Sequence, residues 1–263
     1  MALSFCSFSS GSSGNCYLIK SRETALLVDA GISAKRIVEG LSLAETSLDA
    51  VQGLLITHEH TDHVKSAATL IRKKPDLPVY ANEKTFEAAG LAVNVRGCIF
   101  EKEKPFRIGD IEVKAFPVSH DAADPVGFSL YSGGKQISIL TDSGYVEESL
   151  LPELAEADLL VLEANYDRDM LKMGRYPWFL KQRIDGDRGH LSNEAAGETI
   201  LRLLSGKSKN QRVILAHLSR ENNFPAMAYQ TVKNILEEGS FYLGKHLNLS
   251  TVVRDEVSAI FET

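Results

Sequence analysis

The chain has 263 residues, of which 44% are apolar and 24% charged, with a formal net charge of −6. That length supports a sizeable core. The negative balance argues against a globally basic nucleic-acid binder, although it leaves phosphate substrates open because bound divalent cations supply local positive charge. No run approaches the roughly 18 apolar residues of a membrane span, and MALSFCSFSSGSSGNC lacks the basic-then-apolar order of a signal peptide. Cys6, Cys16 and Cys98 are odd in number and have no metal-ligand spacing, so they read as reduced core thiols of a cytoplasmic protein.

Apolar strand-like runs follow one another along the chain at 4–8, 16–19, 25–29, 51–57, 111–118, 126–131, 136–141, 158–164 and 212–216. Helical periodicity predicts helices over 33–42, 62–74, 83–90, 146–155, 192–205 and 225–238. The 62–74 segment ends on Arg72-Lys73-Lys74 before Pro75, cations at the negative end of a helix followed by a stop signal. Ser192 is placed to cap the helix that follows it. Strands come first in pairs and later alternate with helices, which predicts two sheets with helices outside rather than one parallel sheet.

The densest chemical signal is LLITHEHTDHV, where His58, His60, Asp62 and His63 fall within six residues at a strand-to-helix turn. Three imidazoles and a carboxylate so close together suit divalent ions such as zinc or manganese. Strand-like runs also end at His120, Asp142, Glu163 and His217. Each puts an ionisable group where a buried strand opens into a loop, the usual place for an α/β site.

THEHTDH resembles the HxHxDH signature of the metallo-β-lactamase superfamily, over essentially the whole chain. The resemblance implies a four-layer αββα sandwich of the α/β (α+β) class, with the site along the edge between the sheets. It implies two divalent metal ions, Zn2+ or Mn2+: one held by His58, His60 and His120, the other by Asp62, His63 and His217, with Asp142 bridging. LEANYD, GHLSNEAA and AHLSRENN resemble motifs of RNase Z and RNase J. With SSGSSGNCYLI and the chain length, they make the sequence similar to the YycJ (WalJ) group of compact bacterial nucleases. That group is associated with metal-dependent 5′-to-3′ exonuclease action on DNA. Only 27 positions separate Glu163 from His190, too few for a β-CASP insertion, so 1–263 is expected to form a single domain. Nucleic acid, most simply DNA, is the expected partner, and no membrane is expected.

Hydrolysis would proceed by attack of metal-activated water on phosphorus, with Asp62 as general base or water-orienting group. The departing alkoxide needs a proton, and His190 is the candidate acid, with Glu163 orienting its ring. A turn histidine and a metal ligand are the other readings of His190, the latter weakened because seven residues already fill two metal sites. Ser13, Asn15, Ser192 and Ser219 are candidate phosphate contacts, although each also suits a cap or turn. Segment 167–188 carries six Arg/Lys against four Asp, with Tyr176, Trp178 and Phe179. It suits either stacking along a nucleic-acid strand or a short amphipathic helix that buries Trp178 and Phe179. His246 has no partner in sequence and reads as a surface or hairpin residue. A small-molecule metallo-hydrolase acting on a cyclic phosphate, thioester or lactone is the alternative function. Di-iron oxygen reduction is disfavoured by the intact His60, and a non-catalytic scaffold by the complete ligand set.

Overall fold

The computed structural model describes residues 3–91, 96–205 and 210–263. Strands β1 (Ser4–Ser9), β2 (Cys16–Lys20), β3 (Ala25–Val28), β4 (Val51–Leu55), β5 (Pro78–Ala81) and β6 (Arg96–Ile99) belong to a first sheet. Strands β7 (Phe106–Ile108), β8 (Ile111–Pro117), β9 (Val126–Ser132), β10 (Lys135–Leu140), β11 (Leu159–Glu163), β12 (Gln211–Ala216) and β13 (Leu247–Thr251) form a second, and β14 (Phe261–Glu262) returns to the first. The sheet orders are β14-β1-β2-β3-β4-β5-β6 and β13-β12-β11-β10-β9-β8-β7.

Helices α1 (Ala34–Leu43), α2 (Thr61–Val64), α3 (Ala67–Lys73) and α4 (Glu83–Ala88) come from the first half of the chain. Helices α5 (Leu151–Glu156), α6 (Arg168–Met173), α7 (Trp178–Ile184), α8 (Asn193–Leu204) and α9 (Pro225–Glu238) come from the second. The layering follows from side chains that alternate across each strand. Leu26 and Val28 of β3 join Phe5, Tyr17, Ile139, Val161 and Ile214 in the core between the sheets. Leu27 points the other way, into a core with Ile37 and Leu41 of α1. On β11, Leu159 and Val161 face the inter-sheet core, while Leu160 and Leu162 pack with Ile200 of α8 and Val232 of α9. Strands buried on both faces must read as unbroken apolar runs, as these do. Helices thus cover the outer face of both sheets, the αββα arrangement.

The structure revises several elements. The helix expected over 62–74 divides into α2 and α3, because the chain is tied there to the loop after β3. Ala30 N–H donates to His63 O at 2.7 Å and Ser66 N–H donates to Ala30 O at 2.8 Å. The helix expected over 146–155 begins as a tight turn at Glu148–Leu150 before α5. Five strands lacked a sequence signal: β5, β6, β7, β13 and β14. Four of them are sheet edges, where one flank needs no partner and less apolar surface is required. Helix α7 forms, but Trp178 and Phe179 remain 71% and 72% exposed, so they do not enter the core. Ser192 caps α8, its Oγ accepting from Ala195 N at 3.1 Å. Cys6, Cys16 and Cys98 are free thiols.

Candidate metal centre

Strands β10, β11 and β12 are mutually parallel, and β8 runs with them because the intervening β9 is antiparallel to both its neighbours. Their carboxyl ends therefore open on one edge. His120 follows β8, Asp142 follows β10, Glu163 ends β11 and His217 follows β12. From the first sheet, β4 leads into Thr57 and His58, and α2 carries Asp62 and His63. Three residues at this edge hold left-handed backbone: Asp29 (φ 62°), Asp142 (φ 57°) and His217 (φ 55°).

The predicted ligands converge. The imidazoles of His58, His60 and His120 form one cluster, and Asp62, His63 and His217 form another, each with its donor atoms within 4.8 Å of one another. Asp142 lies between them, 3.4 Å from both His63 Nε2 and His217 Nε2 and 3.9 Å from His120 Nε2. Among the described residues, the buried atoms His58 Nε2, Asp142 Oδ2 and His217 Nε2 have no hydrogen-bond partner. Buried polar atoms are rarely left so, and imidazole nitrogens with carboxylate oxygens are the donor set of a borderline divalent ion. The residues fit such a group.

The electrostatics of the chain's own groups differ between the clusters. Burial, reinforced by neighbouring imidazoles, lowers the pKa of His58, and burial also lowers that of His120 despite Asp142. Both are thereby kept neutral and able to ligate. Burial alone would lower His63 too, but the Asp142 and Asp29 carboxylates raise it to about 9. Burial opposes ionisation of Asp62, yet His217 and His63 hold it well below the usual carboxylate range. The acid-rich cluster therefore stores protons that a bound cation would displace.

Hydrogen bonds to the rear nitrogens fix the rings. Asp29 Oδ2 accepts from His63 Nδ1 at 2.7 Å, and Asp29 also accepts from Thr57 N at 2.9 Å. Gly189 O accepts from His120 Nδ1 at 3.0 Å. Glu163 Oε1 accepts from both His190 Nδ1, at 2.7 Å, and His217 Nδ1, at 2.8 Å. Its Oε2 accepts from Ser143 N at 2.8 Å and Leu191 N at 3.3 Å. Burial would raise the Glu163 carboxyl, but His190 and then His217 hold it well below the ordinary range. The sequence predicted the partnership with His190 but missed that with His217. It also missed Asp29, although that residue ends a strand-like run just as Asp142 does.

The predicted phosphate contacts diverge. Ser13 is exposed and, with Ser12, Gly31, Thr61, Asp62 and Lys65, lines a cavity of about 210 Å³. Asn15 is wholly buried, its Oδ1 accepting from Gly11 N at 2.9 Å and its Nδ2 lying 3.0 Å from His63 Nε2. Ser192 serves as the α8 cap, and Ser219 Oγ accepts from Asn222 N at 3.2 Å. His246 accepts from Tyr242 N at 2.9 Å within a turn, away from this centre.

With this fold and this ligand geometry, the chain belongs to the beta-lactamase superfamily, whose domain profile matches residues 24–218. Within it, the chain is 41% identical over 249 residues to exodeoxyribonuclease YycJ of Bacillus anthracis, covering 93% of both chains. It is 37% identical over 259 residues to exodeoxyribonuclease WalJ of Streptococcus pneumoniae serotype 2 (strain D39 / NCTC 7466), covering 96% of this chain and 95% of that one. The crystal structure of the metallo-beta-lactamase fold protein YhfI from Bacillus subtilis superposes with a TM-score of 0.77 at 17% identity, covering 100% of both chains. Among the described residues, no helix is long and apolar enough to cross a membrane.

Proposed function

We propose that this protein is a metal-dependent phosphodiesterase acting on nucleic acid, a 5′-to-3′ DNA exonuclease that works in the cytoplasm. Similarity to the YycJ and WalJ exodeoxyribonucleases over more than nine-tenths of each chain supports the substrate class. The observation that carries the mechanism is the 2.7 Å contact between His190 and Glu163; both also lie within 4.8 Å of donor atoms of Asp142 and His217, but those two already belong to the proposed ligand set. Residues 1–263 would act as one domain without a β-CASP insertion. Two divalent ions, Zn2+ or Mn2+, would be held by His58, His60 and His120 and by Asp62, His63 and His217, with Asp142 shared. When bound, such ions neutralise phosphate charge and activate water.

The chain's own residues supply the rest. Asp62 is held ionised by His217 and His63, and its side chain stays 26% exposed, so it can accept a hydrogen bond from an incoming water and orient it. Glu163 fixes a proton on His190 Nδ1, leaving Nε2 as the nitrogen available to substrate. The protonated ring then donates to the departing oxygen, which would otherwise leave as an alkoxide. The His190 side chain is 18% exposed, open enough to meet a phosphodiester yet held by a fully buried partner. Ser13, which shares a cavity wall with Asp62, is the candidate phosphate contact, while Asn15, Ser192 and Ser219 hold their own turns and caps.

End-labelled single- and double-stranded DNA and RNA, digested across a metal titration, would test the reading. His190→Ala should lower cleavage by roughly 10²–10⁴-fold while retaining the bound metal. It should slow p-nitrophenyl phosphodiesters less, because their leaving group needs no proton. Loss of metal, or equal loss on both substrate types, would remove His190 from the acid role.

A further inference from the structure

Next to the metal centre lies a feature that the proposed chemistry does not use. A cavity of about 400 Å³ opens between α6 and α7, lined among others by Tyr166, Arg168, Lys172, Trp178, Lys181 and Asp185. Its volume is within the roughly 300–1,000 Å³ range of small-ligand sites. Trp178 is 71% exposed, an unusual place for the chain's single tryptophan, and the neighbouring Phe179 is 72% exposed. An exposed aromatic group over a concave site commonly marks recognition.

The cavity lining carries three cations, Arg168, Lys172 and Lys181, against two acids, Asp169 and Asp185, although the chain as a whole is negative. Segment 167–188 holds six Arg/Lys and four Asp. Two of those acids are engaged locally: Asp167 accepts from Met170 N at 2.9 Å, and Asp185 accepts from Tyr166 Oη. Arg168 lies 3.7 Å from Glu194; Lys181 Nζ donates to Lys172 O at 2.7 Å, and neither Lys172 nor Lys181 has a carboxylate partner among the described residues.

The cavity wall is continuous with the catalytic loop. Ile184 O, at the end of α7, accepts from His190 N at 2.9 Å. Arg183 on the same helix donates to Asp121, the neighbour of His120, at 2.5 Å. Tyr166, on the cavity lining, bridges to Ser192 just beyond His190. Residues of the cavity wall thus adjoin the loop that carries His190.

We propose that the α6–α7 cavity is a nucleobase subsite. The base of a single-stranded DNA end, adjoining the cleaved phosphodiester, stacks on Trp178, while Lys172 and Lys181 hold the neighbouring phosphate. This rests on the phosphodiesterase reading and adds a register to it. Stacking on a π face is indifferent to base identity, which suits an exonuclease that must accept every nucleotide in turn.

Because Trp178 is the only tryptophan, fluorescence excited selectively at tryptophan, beyond the tyrosine absorption, reads this site alone. The full-length His190→Ala chain would be titrated with single-stranded DNA oligonucleotides, intact or with one abasic nucleotide walked from the end. Saturable quenching is expected, with affinity falling on the order of tenfold when one particular position is abasic and little at the others. In a parallel binding assay, Trp178→Ala should weaken the intact strand by a similar factor and Trp178→Phe should restore most of it. Unchanged emission during productive cleavage by the His190-containing chain would overturn the subsite and leave the phosphodiesterase reading standing. Quenching that ignores abasic position would also overturn it, since phosphate contact alone would then explain binding. Position-specific quenching without cleavage of any nucleic acid would overturn the phosphodiesterase reading, and with it the register of the subsite, while leaving base stacking on Trp178 in place.

Discussion

Replacing Glu163 with Gln changes one oxygen to NH₂ with little change in shape, yet the structure predicts a large effect. The fully buried carboxylate accepts four hydrogen bonds, from His190 Nδ1 (2.7 Å), His217 Nδ1 (2.8 Å), Ser143 N (2.8 Å) and Leu191 N (3.3 Å). Both imidazoles share Oε1 and both backbone amides share Oε2, so the donors fall into two pairs. An amide offers one oxygen, so in either orientation one pair of donors faces NH₂. At about 1–3 kcal/mol for each unsatisfied buried donor, the cost is roughly 2–6 kcal/mol. If the amide oxygen stays with Ser143 and Leu191, the imidazoles can escape the clash only by accepting at Nδ1. Each neutral ring would then carry its proton on Nε2, which blocks the nitrogen that His217 needs for a metal and leaves His190 without the carboxylate that orients it. Glu163→Gln should therefore lose stability, or lose metal and cleavage together. Denaturant unfolding of the chelated protein gives the first quantity. Metal content after gel filtration and cleavage of end-labelled DNA give the other two. A variant that keeps its metal, cleaves within twofold of the parent and unfolds within about 0.5 kcal/mol of it would refute this account of the carboxylate.

Asp29 plays a similar part for His63, so Asp29→Asn should weaken metal binding about 10–100-fold while leaving the His190 leaving-group preference unchanged; competition with a fluorescent chelator reads the first and paired substrates the second. Gly31 stands against the ligand loop: a Cβ there would lie 1.6 Å from Asp62 O and 2.2 Å from its carbonyl carbon, both backbone atoms. Gly31→Ala should consequently displace Asp62 and His63, destabilising the chain by ~3 kcal/mol or more and emptying their cluster of metal; a thermal melt close to the parent's with full metal content would contradict it.

The parts of this protein legible in its sequence were those where buried strands meet chemistry. Strands such as β3, β11 and β12 are apolar on both faces, so their runs and ends were plain, and the ionisable residues terminating them stood out. The edge strands were hidden because a partly solvated strand carries less pattern; β6, with Arg96, Gly97 and Ile99 exposed, reads like a loop. The helix over 62–74 has good periodicity, and only the long-range tie of Ala30 to His63 and Ser66 divides it. Asn15 looked available because its neighbours are turn residues, but Tyr17, Gly11 and His63 enclose its side chain. Partnership across the sheets is the part that a linear reading does not carry.

Left-handed backbone at Asp29, Asp142 and His217 shows how the fold and the centre depend on each other. Such a conformation costs an L-residue roughly 1–2 kcal/mol, although Asp and His adopt it more readily than most. All three are buried, and all three stand at or just past strand ends, where ordinary extended backbone would carry the chain onward past the sheet. The network that defines the site also holds each bend. Asp29 N–H donates to Leu55 O at 2.8 Å while its carboxylate takes Thr57 N. The amide after Asp142 is held by Glu163, and His217 N–H donates to Ser10 Oγ at 2.7 Å. Glu163 thus orients the proposed acid, fixes a ligand imidazole and stabilises the bend beside Asp142 with one carboxylate. Strain of this kind persists only where the surrounding contacts over-determine it. Here those contacts are the rear supports of the ligand residues themselves, so the bends and the ring orientations stand or fall together.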